Sequence, residues 1–273
     1  MFCARLARTC QGRVRWDDSQ EAMQAWLEPA REGDLTHAFA LCREFGVQFL
    51  LADSEVRPLV GRGALWVSSQ ARWANVAAVD AEQTIWRADA GSLLSVLQEV
   101  GIQAVRQADP QQTVAQWVAS RRGGGWPAGQ CHLSGVLQIQ ALLADGTAEG
   151  FGPFGASAQA PLRSLTTQRM IPKLFELAHS VPLETSASAE GWPLRYRLDA
   201  LRPTAPLEPN LAWLFNGHGG ALGWVQTVWF VSTELPTHNF VKVLPIDFAP
   251  IDRAVKQILD PTEIFGSIPD QSD

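Results

Sequence analysis

The sequence predicts an α+β protein, and three stretches carry that prediction. Residues 35–45 place Leu35, Ala38, Phe39 and Cys42 on one helical face and stop at Gly46, and the apolar run 47–52 that follows suits a buried strand. A helix feeding a strand through one glycine is an α/β unit. Residues 135–144 form a long alternating run into Asp145-Gly146, a hairpin signal leading to 147–151. Finally, Gly217, Gly219, Gly220 and Gly223 lie between the apolar run 211–215 and the alternating run 224–231, two apparent strands. Such a segment needs positive φ or very close backbone approach. It reads either as a ligand-facing turn or as a tight turn with a glycine-lined packing contact.

Taken in order, the chain opens with a short basic start, then a helical pattern in which Ala22, Met23, Trp26 and Leu27 share a face. After the helix–strand unit, 64–68, 76–80 and 84–89 read as short strands, 92–100 as a helix stopped by Gly101, and 102–105 as another short strand. Residues 113–119 lead into Arg121-Arg122-Gly123-Gly124-Gly125-Trp126-Pro127, which cannot hold a regular element. Past the hairpin, 170–179 looks helical and 180–190 is a small, polar loop. Pro203, Pro206 and Pro209 make an extended link into the glycine turn. Arg195 and Arg197 flank Tyr196 with strand-like alternation, which a solvated face also explains.

Composition narrows the function classes. The chain has 273 residues, 46% of them hydrophobic and 18% charged, enough for a large globular core. A net charge of -6 argues against nucleic acid, which needs clustered cations. Cys3, Cys10, Cys42 and Cys131 lack paired zinc or redox spacing, and the five histidines show no ligand spacing, so no metal is expected. Idle thiols and the lack of an apolar run of about 20 residues point to a cytoplasmic protein without a membrane span. Eleven tryptophans against one tyrosine have no functional explanation beyond bulk packing.

The segment Gly217-His218-Gly219-Gly220-Ala221-Leu222-Gly223 resembles the G-S-x-G-x-L-G motif that closes the FAD-binding domain of PCMH-type flavoproteins, the family of vanillyl alcohol oxidase, D-lactate dehydrogenase and the glycolate oxidase FAD-binding subunit. Other pieces resemble the family in the same order. They are residues 36–51, 66–80, Ala90-Gly91-Ser92 through Gly101, 113–125, Leu133-Ser134-Gly135-Val136, and the tail Leu259-Asp260-Pro261-Thr262-Glu263-Ile264-Phe265-Gly266.

The resemblance implies a FAD-binding domain of two α/β subdomains with the cap domain reduced to a remnant: 1–80 as the N-terminal subdomain, 81–235 as the second, with a mixed sheet and glycine-rich turns, and 236–273 as cap remnant and tail. It also implies non-covalent FAD, because no His or Cys stands where relatives attach flavin. The flavin-side backbone would come from Gly123, Gly124, Gly125, Gly135, Gly217, Gly219, Gly220 and Gly223.

Two departures bear on that implication. The family's pyrophosphate loop is glycine-rich because backbone amides must converge on anionic oxygens. Here Leu51-Ala52-Asp53-Ser54-Glu55-Val56-Arg57 stands instead, and Thr113-Val114-Ala115-Gln116 replaces a T-v-G-G motif. Asp53 or Glu55 about 4 Å from a phosphate would cost on the order of a few kcal/mol at an effective dielectric of about 20. Arg57, Arg121 and Arg122 are candidates to compensate. Only residues 232–258 separate the glycine turn from the closing motif, too little for an independent cap.

No catalytic residue is assigned. His132 and His218 flank glycine segments and are candidate proton acceptors, against the plainer reading of histidines without a role. Tyr196 is the sole candidate phenol base. Residues 150–155 read as a lid or as an ordinary sheet-edge loop. Two functions follow. In one, the chain is a FAD-binding oxidoreductase subunit, similar to the glycolate oxidase FAD-binding subunit, oxidising a small 2-hydroxy acid by hydride transfer to flavin beside another protein subunit. In the other, it is a family member that no longer holds flavin and acts as a structural or regulatory partner.

Overall fold

The computed structural model describes residues 1–17, 19, 22–70, 74–121, 126–156, 158, 162–181, 192–232 and 249–269. They form an α+β structure of two sheets. Helix α1 (Phe2–Thr9) buries Phe2, Cys3 and Leu6, so the basic start is an amphipathic helix. The first sheet has strand order β1-β2-β4-β3, with β1 (Arg13–Asp17), β2 (Gln24–Glu28), β3 (Gln48–Leu51) and β4 (Ala64–Val67). β1 runs antiparallel to β2, whereas β2, β4 and β3 are mutually parallel.

Residues 22–27, expected to be helical, instead contribute β2. Its alternate residues Ala25 and Leu27 are buried while Gln24 and Trp26 are half-buried, a two-residue period that the i, i+4 match concealed. Helix α2 (Glu32–Phe45) ends as expected at Gly46, which takes φ 66 and gives its amide to the Cys42 carbonyl.

Buried Asp34 fixes the start of α2 against the sheet. Its carboxylate accepts the amides of Gln11 at 3.0 Å, Gly12 at 2.9 Å and Ala30 at 2.8 Å. Burial pushes this carboxyl up, and the three amides together with Arg31 outweigh it and hold it below the usual range.

The second sheet, expected to be mixed, is antiparallel throughout, in the order β5-β6-β9-β7-β8. Its strands are β5 (Val76–Ala78), β6 (Ile85–Asp89), β7 (Val136–Leu142), β8 (Ala148–Phe151) and β9 (Trp224–Val231). The Asp145-Gly146 hairpin forms as expected, with Leu142 opposite Ala148. Helix α3 (Leu94–Glu99) precedes a 3-10 turn at Gln103–Val105, where a strand was expected. Helix α4 (Val114–Ala119) starts from a capping box of Thr113 and Gln116, so the Thr-Val-Ala-Gln segment serves a helix start. Helix α5 (Leu165–Ser180) and helix α6 (Ala249–Leu259) complete the described helices. Residues 211–215, expected as a strand, form a 3-10 helix whose first turn is capped by the Asn210 side chain on the Ala212 amide.

One core joins the two sheets. Phe49 of β3 meets Trp224 of β9 edge-on at 5.0 Å, and Phe39 of α2 stacks on Phe265 of the tail at 5.6 Å. The tail also covers the outer edge of β3, where the Phe49 amide donates to the Ile264 carbonyl at 2.7 Å.

A buried glycine turn and an open groove

The glycine turn grows out of the 3-10 helix and passes between α4 and the tail. Gly217, Gly219 and Gly220 take φ values of 73, 67 and 92, the left-handed region that side chains disfavour. The amides of Gly217 and Gly219 donate to the carbonyls of Val118 and Ala119, both at 2.7 Å, and so satisfy the open end of α4. A Cβ on Gly219 would overlap Ile268 Cδ1, and one on Gly220 would lie 3.1 Å from Ser54 Oγ. At Gly223 it would lie 3.1 Å from the Leu142 carbonyl. These glycines leave room for the protein itself.

Ile268 is held in place on two sides. Arg57 and Ser267 exchange backbone hydrogen bonds, and the Arg195 guanidinium donates to the carbonyls of Ile268 at 2.6 Å and Pro269 at 3.0 Å. Arg195 and Arg197 therefore do not alternate on a solvated strand. Arg197 is buried and pairs with Asp199 through two hydrogen bonds of 2.9 and 2.6 Å.

The candidate proton acceptors are also inward. His218 is buried, accepts the Leu222 amide at Nδ1, and is pushed down to about 3 by burial and by the Lys256 charge, so it stays neutral. Burial also lowers His132, whose ring lies 6.4 Å from that of Trp213. Tyr196 is buried and its phenol is pushed up, chiefly by burial, which removes it as a base. Among the described residues, buried His132 Nδ1, the Asn216 amide, His218 Nε2 and Gln226 Oε1 find no hydrogen-bond partner, and none of these residues lines the groove described next.

Gly135 takes φ 65 to end the 3-10 turn Cys131–Ser134, and its carbonyl accepts the Val231 amide, so it too serves the sheet. Gly123, Gly124, Gly125 and Arg122 lie outside the described residues, as do 236–248 and 270–273 of the expected cap remnant and tail. In the loop after β3, Asp53 takes φ 58 and is exposed, whereas Glu55 accepts the Arg121 amide at 3.2 Å. Arg121 in turn donates to the Leu194 carbonyl, so its guanidinium is engaged inside the protein. Among the described residues no group of three or more His, Cys, Asp or Glu could hold a metal, and no helix is long and apolar enough to cross a membrane.

An open groove of about 1540 Å³ lies at the carboxyl ends of the parallel strands of the first sheet, the usual place for a ligand in such sheets. One wall carries Arg13, Arg15, Trp26 and Trp66, the other Asn75, Ser92 and Val96, and the loop residues Asp53 and Ser54 close one end. Sequence reasoning singled out the loop and missed the wall. Its signal was there in Arg13-Val14-Arg15, a two-residue alternation at the start of β1.

No family profile matches the chain, and no curated protein matches it. Among solved structures, a variant of the BBE-like 1 protein of Physcomitrella patens is similar at a TM-score of 0.46 and 14% identity, covering 85% of this chain and 44% of that one. This chain thus spans less than half the length of that protein.

Proposed function

We propose that this chain is a flavoprotein-type scaffold that does not run flavin chemistry and acts as a structural or regulatory partner of another subunit. The observation that carries this reading is the packing of Ile268 against Gly219, with the amides of Gly217 and Gly219 already committed to α4. An isoalloxazine ring along this turn does not fit the residues present. The loss of glycine from the loop after β3 and the burial of His218 and Tyr196 agree with it. Four buried cysteines, none of them in a disulfide, suit a reducing compartment such as the cytoplasm.

The oxidoreductase reading, FAD-dependent oxidation of a small 2-hydroxy acid, is favoured by one observation: the groove reaches the same Asp53–Ser54 loop that the family resemblance assigns to the dinucleotide. An absorbance spectrum separates the two. The scaffold reading expects a colourless protein that gains no bound absorbance near about 450 nm after incubation with FAD and desalting. A yellow protein with stoichiometric flavin overturns it.

A further inference from the structure

We propose that the groove at the carboxyl ends of the parallel strands of the first sheet binds a small aromatic anion, a planar ring carrying a phosphate or carboxylate. The register of the sheet assembles the site. Arg15 is paired with Trp26 across β1 and β2, and Trp26 with Trp66 across β2 and β4, so the three form one row on the groove side of the sheet. Neighbouring strands lie about 4.8 Å apart, which sets the two indoles side by side as a platform one or two rings wide. The opposite face of these strands is occupied by the core, where Ala25, Leu27, Leu65 and Val67 are buried, whereas both tryptophans are only half-buried. Trp66 is oriented by its Nε1, which donates to Gln24 at 2.9 Å.

The charge is set beside the platform. Arg13 and Arg15 are two residues apart on β1, on one side of the strand, with a spacing of about 6.8 Å. Arg57 joins them, while the acidic lining residues are Glu28, 3.3 Å from Arg15, and Asp53. Among the described lining residues, three arginines stand against two carboxylates, a local cationic balance in a chain of net charge -6. Arginine stacks on aromatic faces and grips planar anions, so an aromatic anion uses both halves of this wall. Ser92 and Asn75 also line the groove, where the Ser92 hydroxyl donates to the Asn75 carbonyl at 3.2 Å and the Asn75 backbone amide to Asp89 at 3.1 Å, which fixes that side without committing the platform.

The glycine turn does not line this groove but the Asp53–Ser54 loop does, so FAD itself is one of the probes that tell a flavin site from the site proposed here. The test is calorimetric titration of the full chain with four probes: phenyl phosphate, 4-hydroxybenzoate, adenosine 5′-monophosphate and FAD. One or more of the first three is expected to saturate with a submillimolar Kd that weakens as salt is raised. The strongest binder tells a simple aryl acid from a nucleotide. Arg15→Ala, an exposed position on β1, should weaken that binding about tenfold. Trp66→Leu should do the same, with an unchanged far-ultraviolet circular dichroism spectrum checking its fold. Failure of all three to saturate below millimolar concentration overturns the proposal, as does binding that Arg15→Ala leaves unchanged. Flavin bound with a yellow spectrum counts against the scaffold reading instead and leaves the arginine and tryptophan results to decide this one.

Discussion

At Gly219 two effects act together: a left-handed backbone and a side-chain neighbour, Ile268, standing where a Cβ would go. Gly219→Ala is therefore expected to cost about 2 kcal/mol or more, measured by urea unfolding. The second substitution Ile268→Gly should return part of that loss, because it removes the overlap but not the φ penalty. No recovery in the double variant would mean that Ile268 is not what the glycine accommodates. His218 offers a different readout. Its folded pKa, about 3, lies below its ordinary value of 6.5, so the native state favours the neutral ring. Its contribution is complete above pH 6.5 and is lost as pH falls toward 3, with a slope of up to about 1.4 kcal/mol per pH unit. His218→Gln should flatten the stability profile across that window. The glycines themselves were legible in the sequence as special backbone. Which body they make room for was not, because the answer sits on a tail some fifty positions away.

Among the elements, the tail and α6 depend on Asp260. Lys256 pairs with its carboxylate at 2.6 Å, and the same group accepts the amides of Ile264 at 3.0 Å and Phe265 at 2.9 Å. Asp260→Ala leaves a largely buried ammonium and two amides without that partner, and is expected to cost about 3 to 5 kcal/mol by denaturant unfolding. Lys256→Met with Asp260→Asn should be much milder, since the charge goes as a pair. The closing Asp-Pro motif was visible in the sequence, and so were α2, β3, β4, β6, the 145–146 hairpin and β9, each carried by a local period or a turn dipeptide. The misses share a cause. β2 has a helix-packed core on one face and a tryptophan on the groove face, so its apolar residues imitate a helical stripe. The run Leu211–Phe215 is apolar throughout and carries no period at all, leaving its 3-10 form to tertiary contacts such as Trp213 Nε1 donating to the Val136 carbonyl at 2.7 Å.

For the whole molecule, the groove and the buried turn give opposite expectations for ligands. A deletion of residues 267–273 should uncover the glycine turn. If the tail alone keeps flavin out, the shortened protein will gain bound FAD absorbance that the full chain lacks; if the site is lost altogether, both stay colourless. The two-sheet α+β plan was readable from the order of helix, strand and hairpin signals. The groove was not, since it is made by strands β1, β2 and β4 meeting at a register that no single stretch of sequence encodes.

The tail's position beside β3 also bears on biosynthesis. Phe39 and Phe49 reach their final neighbours only when Phe265 and Ile264 arrive, long after α2 and β3 have been made. Until then a nascent chain displays an unfinished strand edge and a greasy helix face. Chaperone demand should therefore stay high until that later segment has emerged from the ribosome.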